Sequence, residues 1–432
     1  FAQTAAASWS AGVVTGAGAT TWTATRPDGL GGQITVATLT IRADGSYDFA
    51  LLAPVAHAIP TPLAGEDSAL LNFGYTVRDG DGDTTAGLLT VTVNDDRPTT
   101  TGIVNGTMLD DEAHDLDGAA GKFYPNTGNG TGDAAGEESV AQGGAGSLFR
   151  TGSDGLGSIV VGLPSFDVVY MNANGFAAVE DAVWVSTAGV RSFDAVAGVG
   201  VTTWEAVREG TTEVVARLQI WNDGAYKFEL FAPLAHPTNG TSEENVRLDF
   251  TYVVADADGD TGLGELRVSV DDDRVVMTTG GIVTSSTVLS DEAHDLDGTS
   301  GGFAPNHDGL ASASVSVAQG VAGDLFRPGA DGVRSVVVTG FPSFSVIWND
   351  GGFAKTEAVT WPGVPAAGTV GANGETYWVA TSPHHGEVAR LTIWADGSYR
   401  LEVKAPVVHD ATSSATEENR QLSFGYRLKD GD

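Results

Sequence analysis

The sequence contains no cysteine. No disulfide can staple it, and it offers neither a thiol nucleophile nor a thiolate metal ligand. Basic residues are scarce: 22 Lys and Arg stand against 56 Asp and Glu, a formal charge of −34. Binding to nucleic acid needs clustered cations to neutralise phosphates, so that partner class is excluded. A chain this acidic repels itself unless cations bind. No apolar run approaches the ~18 residues of a membrane span, no signal-peptide pattern opens the chain, and no helical stripe exceeds about two turns. The GxxxxGK[ST] and HExxH signatures are missing. Glycine is plentiful at 58 residues but follows no three-residue period, which excludes collagen.

What is present is repetition. The string DEAHDLDG occurs at Asp111–Gly118 and again at Asp291–Gly298, each followed by AQG, LFR, an Asp-Gly and a Pro-Ser-Phe (Pro164 to Phe166, Pro342 to Phe344). A second half of the unit occurs three times, with Trp22, Trp204 and Trp378 in corresponding places. Asp-Gly turns follow at Asp44, Asp223 and Asp396, then Ala-Pro and a histidine (His57, His236, His409). The unit closes on DGDGD (Asp79–Asp83) or DADGD (Asp256–Asp260), a last strand, and NDD (Asn94–Asp96) or DDD (Asp271–Asp273). The period is roughly 177 residues, Asp79 to Asp256. With 432 residues and 41% hydrophobic content, the chain can bury two or three cores. The division expected is a partial module over 1–98, a complete one over 99–274 and a partial one over 275–432, cut from a longer protein.

Within a unit the pattern is β. Leu266, Val268 and Val270 alternate with Arg267 and Ser269, and Tyr399, Leu401 and Val403 with Arg400, Glu402 and Lys404, the period of half-buried strands. Asp-Gly between such runs predicts tight hairpins with positive backbone angles, and short helical pieces are expected near Glu66, Glu243 and Glu417. Many short strands without βαβ alternation predict an all-β chain of antiparallel sandwiches.

The acidic motifs carry the chemistry. Asp79, Asp81 and Asp83, like Asp256, Asp258 and Asp260, place carboxylates at every second position around glycine. Converging carboxylates repel by about 1 kcal/mol or more per pair at an effective dielectric near 20, and a hard divalent ion removes that cost. Asp95 and Asp96, or Asp271, Asp272 and Asp273, end each unit, and Asp110, Asp111 and Glu112, or Asp291 and Glu292, open the next. The three acidic groups are expected to meet at the junction of two modules, where Ca²⁺ would stiffen the joint; Mg²⁺ is not excluded by spacing. Asp430 and Asp432 begin the same motif again. An EF-hand is excluded, because its twelfth position is Thr90 or Arg267 rather than Glu. DEAH matches a helicase motif only in letters, and His114, His294 and the three histidines after Ala-Pro read as packing or turn residues rather than ligands. Asn-Gly-Thr at Asn105, Asn129 and Asn239 reads as turns. Trp221 and Trp394 point away from the apolar faces of their strands, and either could stack on a sugar or cover a neighbouring loop. No nucleophile–base pair recurs, so no enzymatic activity is expected.

The stretch GYTVRDGDGDTTAGLLTVTVNDDRP (Gly74–Pro98), with IRADGSYDF before it and LFRPGADG later, resembles the VCBS and related repeats of bacterial RTX adhesins. The resemblance implies Ig-like or cadherin-like sandwiches in an extender region at the bacterial cell surface, with a part in attachment or biofilm. It implies Ca²⁺ at Asp79, Asp81, Asp83, Asp256, Asp258, Asp260 and the Asp runs that close each module. Expected partners are neighbouring modules, with polysaccharide or lateral copies of the chain in a sheath as alternatives. Whether each long module is one sandwich or two stays open.

Overall fold

The structure is a computed structural model and describes residues 5–15, 18–29, 31–57, 68–110, 139–237, 245–272, 275–290, 316–329, 332–409 and 419–431. Strands dominate it, mostly in antiparallel pairs, and a 3-10 turn at Thr278–Gly281 is the one helical element among the described residues. The segments around Glu66, Glu243 and Glu417 lie outside them.

The second repeat is the most complete. One sheet runs in the order Leu109–Asp110, Thr261–Asp271, Val246–Asp256, Leu156–Gly162, with Ile103–Asn105 also on Thr261–Asp271. The other runs Val140–Gly143, Tyr226–Leu230, Val214–Trp221, Val199–Arg208, Ala177–Trp184, Phe166–Met171, with Val190–Asp194 also on Val199–Arg208. Alternation closes the two sheets face to face. Leu266, Val268 and Val270 of one bury against a core that includes Leu218, Ile220 and Phe228 of the other, while Arg267 and Ser269 stay half-exposed. Three large side chains with polar tips place them on carbonyls: Trp204 Nε1 on Thr187 (3.2 Å), Trp184 Nε1 on Pro164 (2.8 Å), Tyr252 OH on Leu148 (2.7 Å). The third repeat does the same with Trp378 on Ala366 (3.0 Å) and Tyr426 on Leu325 (3.1 Å).

The Asp-Gly turns refine the expectation. At Asp223, the Gly224 N–H donates to Trp221 O (3.0 Å) and the Trp221 N–H to Ala225 O (2.9 Å). Only the glycine takes a positive φ, 85°, 82° and 80° at Gly45, Gly224 and Gly397. These are three-residue hairpins with a glycine bulge, not two-residue turns with two positive angles. The Asp side chain locks each one by accepting the N–H two residues on, at Ser46, Ala225 and Ser398.

The first repeat reuses this grammar with less to pack against. Its hairpin Ser68–Arg78 with Thr84–Asn94 stands as a two-stranded sheet beside a five-stranded one. Tyr75 and Val77 are 38% and 52% exposed, whereas their counterparts Tyr252 and Val254 are 1% and 0%. Among the described residues its buried cluster is Ala24, Val36 and Ala37, with Phe49 and Ala53 packed against it. Phe250→Ala is therefore expected to cost about 3–5 kcal/mol, since that ring is fully enclosed by Phe228 and Trp184. The equivalent Phe73→Ala should cost roughly 1–2 kcal/mol, because half-exposed rings leave little cavity. Urea denaturation of the two variants compares them directly.

Candidate metal centre

Both Asp-rich turns are built alike. Oδ1 of Asp79 accepts the backbone N–H groups of Asp81 (3.3 Å), Gly82 (3.0 Å) and Asp83 (2.9 Å). Oδ1 of Asp256 accepts those of Gly259 (3.0 Å) and Asp260 (2.8 Å). The first Asp of each motif thus folds the turn, and Gly82 and Gly259 take the positive φ it needs, 110° and 113°. Gly80 is not among the positive-φ glycines and is Ala257 in the second copy, so it is not required conformationally.

Their surroundings differ. Asp79, Asp81 and Asp83 bring carboxylate oxygens within 4.8 Å of one another in open solvent. The Asp81 side chain and the turn's N–H groups hold Asp79 below its ordinary value. The second turn is buried against the end of the first repeat. There the His57 N–H donates to Asp258 Oδ2 (2.9 Å), and His57 Nδ1 lies 3.1 Å from Asp95 Oδ1 and 3.6 Å from Asp258 Oδ2. Asp154 completes the group, and the four residues present ligand atoms that all lie within 4.8 Å of one another. Two come from the first repeat, beyond strands Tyr47–Leu51 and Thr84–Asn94. Two come from loops of the second, before Leu156–Gly162 and after Val246–Asp256.

The linker is held to the second repeat independently. Thr99–Thr100 pairs with Phe149–Arg150, and Asp96 Oδ2 accepts the Ser153 N–H (2.9 Å). A Cβ on Gly152 would sit 2.6 Å from the Asp96 oxygens, so the approach needs glycine there.

The carboxyls do not ionise alike. Burial, then the neighbouring Asp258, pushes Asp154 up to about 6 and Asp256 up to about 7, and raises Asp95 as well. Asp258 goes the other way: burial opposes its ionisation, but the His57 N–H and the Asp256 and Asp154 carboxyls outweigh it. Without a cation, the acids around Asp258 hold protons that an ordinary Asp has lost. A carboxyl raised above its unfolded value of 3.8 contributes stability that is complete at low pH and lost as pH climbs through the folded value. In chelator, stability should therefore fall by on the order of 1 kcal/mol between about pH 5 and pH 8. Thermal melts across that range in chelator read it; a rising melting temperature would contradict the assignment.

Among the described residues, His57 Nδ1, Asp96 Oδ1, Asp256 Oδ2 and Asp258 Oδ1 are buried with no hydrogen-bond partner. Each such atom costs roughly 1–3 kcal/mol if left so. This donor set fits a divalent cation, which would engage Asp95, Asp154 and Asp258.

The expected convergence is corrected in one respect. The turn Asp256–Asp260 and the run beginning at Asp271 sit at opposite ends of the 11-residue strand Thr261–Asp271, which holds them roughly 35 Å apart. The turn of one repeat meets the end of the repeat before it, not its own end. Asp271 instead pairs in parallel register with Asp110, so opening and closing acids of one repeat share a pole. There Asp272 lies 3.4 Å from His236 Nδ1, but that nitrogen also lies 3.1 Å from the Leu234 carbonyl and so carries the proton that His57 Nδ1 lacks. Asp260 flanks the buried turn and is half-buried, and Asp430 ends Gly425–Asp430 opposite Val333 as Asp256 does opposite Leu156. Asp111, Glu112, Asp273, Asp291, Glu292 and Asp432 lie outside the described residues.

Two members of the cluster were not foreseen. His57 had been read as packing, although a histidine after Ala-Pro in all three copies was a signal. Asp154 belongs to an Asp-Gly that recurs behind LFR, where the letters mark the repeat without marking a ligand. Trp221 is half-buried and donates Nε1–H to Asp194 (2.9 Å), covering a neighbouring hairpin, and Trp394 is likewise half-buried.

The sequence matches no protein-family model and no curated protein. No helix among the described residues is long and apolar enough to cross a membrane.

Proposed function

We propose that the chain is a structural extender of an extracellular bacterial adhesin: sandwich repeats in series, joined by cation-bound acidic junctions, in a protein serving attachment or biofilm. The carrying observation is that the buried cluster His57, Asp95, Asp154 and Asp258 draws two residues from each of two successive repeats. A cation there engages both repeats at once and fixes their relative orientation. Calcium is the cation the repeat resemblance implies, and the all-oxygen turn Asp79-Asp81-Asp83 suits it. The charge of −34 supports a chain that depends on bound cations, and the lack of cysteine fits one stapled by metal instead of disulfides.

We read the chain as non-enzymatic. The exposed pair His384–Glu357 has Ser382 on the glutamate, so the hydroxyl faces the wrong partner for activation by the imidazole. Small-angle scattering in chelator and in calcium tests the extender role. A longer, narrower particle in calcium is expected; identical profiles would overturn the role of the junction.

A further inference from the structure

We infer that the joint between the first and second repeats is a mixed nitrogen–oxygen site that selects a borderline first-row divalent cation, Zn²⁺, over Ca²⁺. The inference rests on the reading of this cluster as a cation site and concerns which cation it takes.

The observation behind it is the state of the His57 ring. Its side chain is 4% exposed. Nε2 lies 3.2 Å from the Val93 carbonyl, which can only accept, so Nε2 carries the proton that bond needs. The other nitrogen, Nδ1, then faces Asp95 Oδ1 at 3.1 Å and Asp258 Oδ2 at 3.6 Å and makes no hydrogen bond among the described residues. A bare lone pair held against two carboxylates is electrostatically unfavourable. Only a cation or a second proton between them resolves it. A ring nitrogen whose partner N–H is fixed by a backbone carbonyl is the usual arrangement of a metal-bound histidine.

These two acidic groups therefore differ in kind. Asp79, Asp81 and Asp83 offer oxygen only, in open solvent, as a hard ion prefers. The joint offers one imidazole nitrogen and three carboxylates in a dry setting, with Asp95 and Asp258 side chains 2% and 5% exposed. Imidazole adds little for Ca²⁺ and much for Zn²⁺, which lies near the top of the first-row order for nitrogen ligands.

Competition titrations with Zn²⁺ and Ca²⁺ on the full chain test this, with Asp154→Asn marking which binding event belongs to the joint. The expected result is that Zn²⁺ binds there at least ~100-fold more tightly than Ca²⁺, and that His57→Gln weakens Zn²⁺ at least ~10-fold while Ca²⁺ changes less than ~2-fold. A second readout needs no His57 variant: the spin echo of Mn²⁺ bound to the intact chain should carry ¹⁴N modulation that Asp154→Asn removes. Equal affinities for the two cations, or an echo without nitrogen coupling, would overturn the inference and leave a calcium joint standing. If neither cation binds at the joint, the reading of the cluster as a cation site falls with it.

Discussion

Adding calcium to the chelated chain is expected to raise its lowest melting transition by about 10 °C or more. A cation that binds only the folded state stabilises it by about 4 kcal/mol per site at 1,000 times its dissociation constant, and about 1 kcal/mol moves a domain of this size by some 2–4 °C. The effect should fall mainly on the first repeat. Among the described residues its buried cluster is three residues, whereas the second repeat packs two sheets around Trp204, Phe228 and Phe250. Its His57 and Asp95 supply half of the joint, so a cation there ties the weaker unit to the stronger one. Calorimetry in chelator should accordingly show separate transitions, the lower belonging to the first repeat, and calcium should draw them together. Superimposable melts with and without calcium would sink the claim that cations hold this chain together.

Much of the fold was legible because it rests on local rules. The alternation at Leu266, Val268 and Val270 fixed which face of that strand is buried, and all three are 0% exposed. The Asp-Gly turns were legible as hairpins but not as bulged ones, since the turn class depends on how the two flanking strands are registered. The site was legible as chemistry and not as geometry. Letters alone place Asp258 and Asp271 close together in sequence, yet a straight strand carries them to opposite poles. Asp258 finds its true neighbours, His57 and Asp95, only when two repeats stack, a contact between residues about 200 positions apart. His57 was missed because a histidine after a proline is usually packing, and only its buried, unpartnered nitrogen separates ligand from filler.

Asp258→Asn should change stability in opposite directions with and without metal. The Asn Oδ1 can still accept the His57 N–H now held by Asp258 Oδ2 at 2.9 Å, so the local backbone has no reason to move. What disappears is a charge that lies against Asp95, Asp154 and Asp256 in a buried setting. In chelator at about pH 8, where those carboxyls are ionised, removing one of the repelling charges should stabilise the chain by on the order of 1 kcal/mol. With calcium present, the same change removes a central ligand, and the variant should lose most of the cation's ~4 kcal/mol. The melting curves of variant and wild type should therefore cross over between the two buffers. A variant that merely damages packing is less stable in both, and one at a solvated turn is unchanged in both. Asp81→Asn, the same substitution in the exposed first turn, separates that turn from the joint: solvent screens its charge and its carboxylate borders no second repeat among the described residues, so it should change little in chelator and lose only the calcium stabilisation of its own turn. A parallel loss in both buffers for Asp258→Asn would show that its carboxylate is structural, and the joint would then have to be held by something other than a cation.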